Sequence, residues 1–100
     1  MSGSRYESYE LDVREAVENG NSQGCAELID KWLKLTGTFV GSFDIEVSTD
    51  GTVWSKVTTG LTAAGWTAIT QTCKFVRIAT TAYTSGTPRA VLTGRMAHYG

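Results

Sequence analysis

Few side chains in this 100-residue sequence are equipped for chemistry, and their spacing decides what each could do. Histidine is the usual proton carrier near neutral pH, and it occurs once, as His98. A residue so close to the end of the sequence is hard to hold in register with a nucleophile and an orienting carboxylate. His98 therefore reads as a solvated or interface side chain. Cys25 and Cys73 would each need that histidine as a base to act as nucleophiles. They lack the C-x-x-C spacing of a metal or redox site and are too few for a disulfide framework. Two reduced thiols, half buried in a core, are expected in place of a disulfide. Asp44 and Glu46 lie two apart on a strand-like run and so share a face, the kind of carboxylate pair that glycoside hydrolysis uses. That face is the polar one, so a solvated strand surface is expected. There is no H-E-x-x-H, paired-cysteine or EF-hand pattern, and Asp50 suits a turn better than a calcium ion. No catalytic, cofactor-binding or metal-ligating residue is assigned. A non-enzyme is expected.

Composition narrows the classes further. A hydrophobic fraction of 41% with 19% charged residues fits a folded domain rather than a disordered chain. The length suits one core. Lysine and arginine are scattered, and the net charge is −1, so the dense basic patch of a nucleic-acid binder is missing. No apolar run approaches the roughly 20 residues of a membrane span. The polar stretch Met1–Glu10 has no apolar signal core, which leads to the expectation of a cytoplasmic origin with no nucleic-acid or membrane partner.

The elements that would position these residues are short and β-like. Phe43-Asp44-Ile45-Glu46-Val47-Ser48 alternates apolar and polar residues, the mark of a half-buried strand. Asp50-Gly51 then turns the chain into a strand led by Val53 and Val57, a hairpin signal. Further strands are expected over Leu11–Val17, closed by a turn at Asn19-Gly20-Asn21, and over Trp66–Ile69. A central strand is expected over Lys74–Thr80 and a last one over Ala90–Met96, with turns over Gly60–Gly65 and Tyr83–Pro88. Cys25, Leu28, Ile29, Trp32 and Leu33 fall at helical spacing. Leu33, Leu35 and Phe39 equally alternate with polar residues. The turn-punctuated context favours two strands, Gln23–Ile29 and Trp32–Thr38, about a tight turn at Asp30-Lys31. The expectation is an all-β antiparallel sandwich of about eight short strands over residues 11–100, preceded by a flexible arm over 1–10.

Three pieces of the sequence carry a resemblance. Gly41-Ser42-Phe43-Asp44-Ile45-Glu46-Val47-Ser48-Thr49-Asp50-Gly51-Thr52-Val53-Trp54 resembles a hairpin of many small tailed-phage structural proteins. So does Lys74-Phe75-Val76-Arg77-Ile78 followed by Thr81-Ala82-Tyr83-Thr84-Ser85-Gly86-Thr87-Pro88. Glu18-Asn19-Gly20-Asn21-Ser22 is similar to their common N-G turn. The Ser48–Trp54 stretch is also similar to hairpins of discoidin-like carbohydrate-binding sandwiches, in which the aspartate stabilises the turn. The resemblance implies a jelly-roll-like β-sandwich acting in the virion of a phage, after synthesis in the host bacterial cytoplasm. Its implied role is a capsid decoration (cement) protein that binds and stabilises assembled capsid subunits. The implied partners are the major capsid protein or neighbouring virion proteins, with self-association as a trimer or dimer. Tyr6, Tyr9, Trp32, Tyr83 and Tyr99 are the candidate partner interface. The alternative is a carbohydrate-binding or adaptor module of a tail, neck or fibre, using exposed Trp32, Trp54 or Trp66.

Overall fold

Alternation decides the architecture, because a strand with one apolar face must bury it against a second sheet. The structure, a computed structural model, describes residues 5–96. Eight strands follow in order: β1 (Tyr6–Leu11), β2 (Gln23–Gly24), β3 (Leu28–Thr36), β4 (Phe39–Ser48), β5 (Ser55–Leu61), β6 (Gly65–Ile69), β7 (Phe75–Gly86) and β8 (Arg89–Met96). They form two four-stranded antiparallel sheets, ordered β1-β8-β3-β6 and β2-β7-β4-β5. The pairs β1 with β8, β2 with β7, β3 with β6 and β4 with β5 describe one long hairpin ribbon. Rolled up, it closes through β3–β8 and β4–β7, which is the jelly-roll order. The expected antiparallel sandwich is present.

Between the sheets lie Leu11, Leu28, Leu33, Leu35, Phe43, Ile45, Val47, Ile69, Val76, Ile78, Ala90 and Leu92, all buried. Phe39 meets Phe43 edge-on with ring centroids 5.2 Å apart. The hairpin at Asp50-Gly51 is held by reciprocal side-chain caps. Asp50 Oδ1 accepts from the N–H groups of Thr52 and Val53 at 2.8 and 3.0 Å. Ser48 Oγ accepts from the N–H groups of Gly51 and Asp50 at 2.8 and 3.2 Å. Gly51 has a φ of 82°, which favours glycine.

The ambiguous segment is extended, not helical. Its irregularity is a β-bulge: between the pairs Ile29–Arg95 and Trp32–Thr93, three steps of β3 face two of β8. Asp30 sits there with a φ of 51°. The tight turn expected at Asp30-Lys31 is this bulge inside one strand. It also explains the helical spacing. One extra residue converts the period-2 step from Leu28 into a step of three, so Leu28, Lys31, Leu33 and Leu35 all point inward.

Four other expectations differ from the structure. Over Leu11–Val17 the chain leaves β1 and becomes a connection, because Asp12 Oδ2 accepts from Arg14 Nε at 2.6 Å and Asn21 N–H at 2.8 Å. Asn19-Gly20 is not a free turn but lies along β7, with Gly20 N–H donating to Ile78 O at 2.8 Å and an isolated bridge from Asn19 to Ala79. The turn expected over Tyr83–Pro88 shrinks to Thr87-Pro88, since β7 runs on through bulges opposite β4 to Gly86. Within the stretch expected as an arm, Tyr6–Glu10 are strand, paired to β8 from Tyr6–Arg95 onward. The remainder of that stretch up to residue 4 lies outside the described residues.

At one end of the sandwich the β3–β4 and β7–β8 connections run side by side, joined by Thr87 N–H to Thr38 O at 3.0 Å. Gly86 has a φ of 100°, and a methyl there would collide with Thr38 O and Phe39 Cα. Gly86→Ala is therefore expected to destabilise by about 2–4 kcal/mol, strain and overpacking together. Gly24→Ala, in open space on an edge strand, should change stability by less than about 1 kcal/mol. Chemical denaturation of both variants checks the contrast, and equal costs would contradict this packing.

Candidate functional site

The two sheets use their outer faces differently. On the outside of β2-β7-β4-β5, β4 presents Asp44 and Glu46, and these are buried, 6% and 8% exposed. The solvated surface expected for them is corrected. Their neighbours on both sides supply cations that cover them. Lys56 of β5 donates to Asp44 Oδ2 and Glu46 Oε2, each at 2.8 Å, and Arg77 Nε of β7 donates to Glu46 Oε1 at 2.7 Å. Gly60 N–H donates to Asp44 Oδ1 at 2.9 Å. The Arg77 guanidinium stacks 4.1 Å from the centroid of the Trp54 ring.

Burial alone would push both carboxyls up. The hydrogen bonds from Lys56 and Gly60 outweigh it for Asp44, and those from Lys56 and Arg77 outweigh it for Glu46. Both carboxyls are thus held below the usual carboxylate range, ionised and fully paired. Held ionised between these donors, neither carboxyl has a proton to give. The network is structural.

The outer face of β1-β8-β3-β6 is open. Registers place Glu10, Val91, Lys34 and Trp66 in one row across the four strands, and Ser8, Thr93, Trp32 and Ala68 in the next. Tyr6, Arg95 and Ile29 form a third. Tyr6 is 66% exposed, Trp32 48% and Trp66 57%, and Ile29 is also exposed. Trp32 and Trp66 are diagonal cross-strand neighbours, a spacing of about 7–8 Å within reach of aromatic rings. Lys34 Nζ sits 5.1 Å over the Trp66 ring. Ion pairs border the aromatics: Arg95 with Asp30 at 2.7 Å, and Arg89 with Glu10 at 2.6 Å. Beside Trp32 an open groove of about 510 Å³ runs between the β3 bulge and Ala68–Thr72.

Of the candidate interface residues, the structure brings Tyr6 and Trp32 onto this face. Tyr9 points to the other side of β1 and packs against the core. Tyr83 lies on the other sheet, half buried, with its hydroxyl donating to Gly86 O at 2.6 Å. Tyr99 and His98 lie outside the described residues. Trp66 and Lys34 join the face through the β3–β6 register, which strand periodicity alone does not reveal. Among the described residues no group of three or more His, Cys, Asp or Glu side chains is placed to hold a metal ion.

The arrangement suits stacking against a flat or ridged partner, with charged side chains setting orientation. Comparison of the chain with family models, with curated proteins and with solved structures finds no match.

The buried carboxylates give a pH signature. A carboxyl whose folded pKa is depressed adds stability above its unfolded value, and loses it as pH falls through the folded value. Glu46→Gln is expected to cost about 1–2 kcal/mol at neutral pH by leaving Lys56 and Arg77 under-paired. The gap to the parent should close only on acidification below the ordinary carboxylate range, near pH 4. Urea midpoints across pH test this. A gap that persists unchanged into strong acid would rule out the ionic pairing.

Proposed function

We propose that this chain is a non-catalytic structural protein of a tailed-phage virion, most specifically a capsid decoration protein that clamps assembled capsid subunits. The observation that carries the reading is the aromatic face of β1-β8-β3-β6, with Trp32, Trp66 and Tyr6 exposed on a rigid sheet. Tryptophan and tyrosine are the side chains that anchor protein interfaces, and charged residues around them form the usual rim. The resemblance of the Gly41–Trp54 and Lys74–Pro88 segments to phage structural hairpins supplies the kind of partner: the major capsid protein or a neighbouring virion protein. A capsid offers that partner many times over. Self-association into a dimer or trimer would present several such faces to adjacent subunits, so modest docking per face adds up to firm attachment.

A second reading has its own observation. The groove beside Trp32, walled by Asp30, Gln71 and Thr72, pairs an aromatic surface with polar side chains. That combination suits a sugar ring, and favours a glycan-binding module of a tail or fibre.

Co-sedimentation with phage heads that lack the protein separates the two. Saturable binding at a fixed ratio to the major capsid protein is expected. Trp32→Ala and Trp66→Ala should each weaken it by tenfold or more, on the order of 2 kcal/mol. Exposed positions of this kind should shift unfolding by no more than about 1 kcal/mol. Absence of binding to heads, with a tryptophan fluorescence shift on adding host surface polysaccharide, would overturn the decoration role in favour of the glycan reading.

A further inference from the structure

Cys25 lies where the chain crosses from β2 into β3, and Cys73 lies in the connection from β6 to β7. These crossings run side by side, because β2 pairs with β7 and β3 with β6. The backbones are already tied: Cys25 N–H donates to Lys74 O at 2.8 Å. The two Sγ atoms stand 3.8 Å apart, both buried and both free thiols. Residues 48 positions apart in sequence thus form an adjacent pair, which spacing alone could not show.

A third group completes the cluster. The β3 bulge turns Lys31 inward, where it is 6% exposed and its Nζ donates to Leu28 O at 3.4 Å. Its positive charge acts on both sulfurs. A buried ammonium is costly unless it faces negative charge, and a thiolate supplies that charge. The hydrogen bond from Cys25 lowers the Cys73 thiol to about 7, with Lys31 assisting and burial opposing. The same hydrogen bond, with burial, pushes Cys25 up. Among the described residues Glu27 also raises Cys25, and Tyr9 interacts with the Cys25 sulfur. One sulfur is therefore disposed to be the nucleophile and the other to keep its proton.

We propose that Cys25 and Cys73 form a redox site that closes into an intramolecular disulfide when the protein meets a peroxide. The Cys73 thiolate attacks one oxygen of hydrogen peroxide, and the O–O bond breaks. Cys73 becomes a sulfenic acid, and the departing hydroxide takes up the proton that Cys73 released. The Cys25 sulfur then attacks the Cys73 sulfur, the S–O bond breaks, and the hydroxyl leaves as water with the Cys25 proton. Two thiols lose two electrons, and one peroxide becomes two waters. Lys31 acts as a positioning residue that stabilises the thiolate. The reading is independent of the virion role.

The test treats the full chain with hydrogen peroxide, removes the excess with catalase, and alkylates the protein under denaturing conditions before intact-mass measurement. Before oxidation both cysteines should be alkylated. Afterwards neither should be, the mass should be lower by two hydrogens, and dithiothreitol should restore both thiols. Closing so long a loop should raise the Tm by on the order of 10 °C or more. Lys31→Met should slow closure at neutral pH by about tenfold, Lys31→Arg should restore the rate, and Cys25→Ser should leave Cys73 trappable by dimedone. Retention of both thiols under conditions that oxidise free cysteine would overturn the proposal. So would sulfinic acid on a single cysteine, or linkage between chains. If a variant fails to fold, the parent's mass shift decides alone.

Discussion

Burial of β4 on both faces is the constraint on which the sandwich depends. Phe43, Ile45 and Val47 must face the opposing sheet, so the residues between them are forced outward onto a strand flanked by β5 and β7. Two of those residues are carboxylates, and a buried charge is tolerable only when paired and hydrogen-bonded. The pairing comes from the adjacent strands, Lys56 on one side and Arg77 on the other. A slip of one residue in either neighbour would turn its cation to the opposite face. The ionic network thus fixes the register of three strands together, while the Ser48 and Asp50 caps fix the hairpin that joins two of them. In meeting these demands the β2-β7-β4-β5 sheet spends its outer polar surface on itself. The outer face of the opposite sheet carries ion pairs only beside its aromatics and leaves Tyr6, Trp32 and Trp66 exposed.

The bulge in β3 has the second-largest reach. A bulge adds one residue and re-aims the side chains after it. Here it sends Lys31 inward to the thiols and Trp32 outward to the aromatic face. Without the extra residue, a strand continuing the alternation from Leu28 would bury Trp32 and expose Lys31. Asp30 bears the conformational cost at a φ of 51°, and its carboxylate is engaged by Arg95 across the strand pair. One backbone irregularity therefore shapes both the exposed face and the buried cluster.

How far the sequence disclosed this depends on whether the controlling contact was local. The Phe43–Ser48 alternation and the Asp50-Gly51 turn were legible because a strand period and a turn conformation are set by adjacent residues. Leu28 to Leu35 was ambiguous for a definite reason: a bulged strand imitates helical spacing for one step. The Leu11–Val17 stretch kept a strand's alternation, but Asp12 bonds with Arg14 and Asn21 drew it off the sheet. Asp44 and Glu46 looked solvated because no periodicity reveals which cations lie across the register. The thiol pair was invisible for the same reason. Tyr6 and Trp32 stand out in the sequence as large aromatics, yet their union with Trp66 depends on the strand order β1-β8-β3-β6.

The exposed face and the thiol cluster meet at the β6–β7 connection. Ala68 to Thr72 form one wall of the groove beside Trp32, and Cys73 follows directly. With free thiols, that connection is tied to the β2–β3 crossing by Cys25 N–H to Lys74 O and to the end of β4 by Lys74 N–H to Ser48 O. A covalent bond from Cys73 to Cys25 would add a constraint that local opening cannot relax, since hydrogen bonds at the ends of strands open far more readily than the sheet as a whole. Stiffening that wall lowers the conformational entropy left to lose when Trp32 and its neighbours are covered by a partner. The proposed disulfide would therefore act on the surface through the shared backbone of residues 68–73 and through Lys31, which lines the groove and faces the thiols.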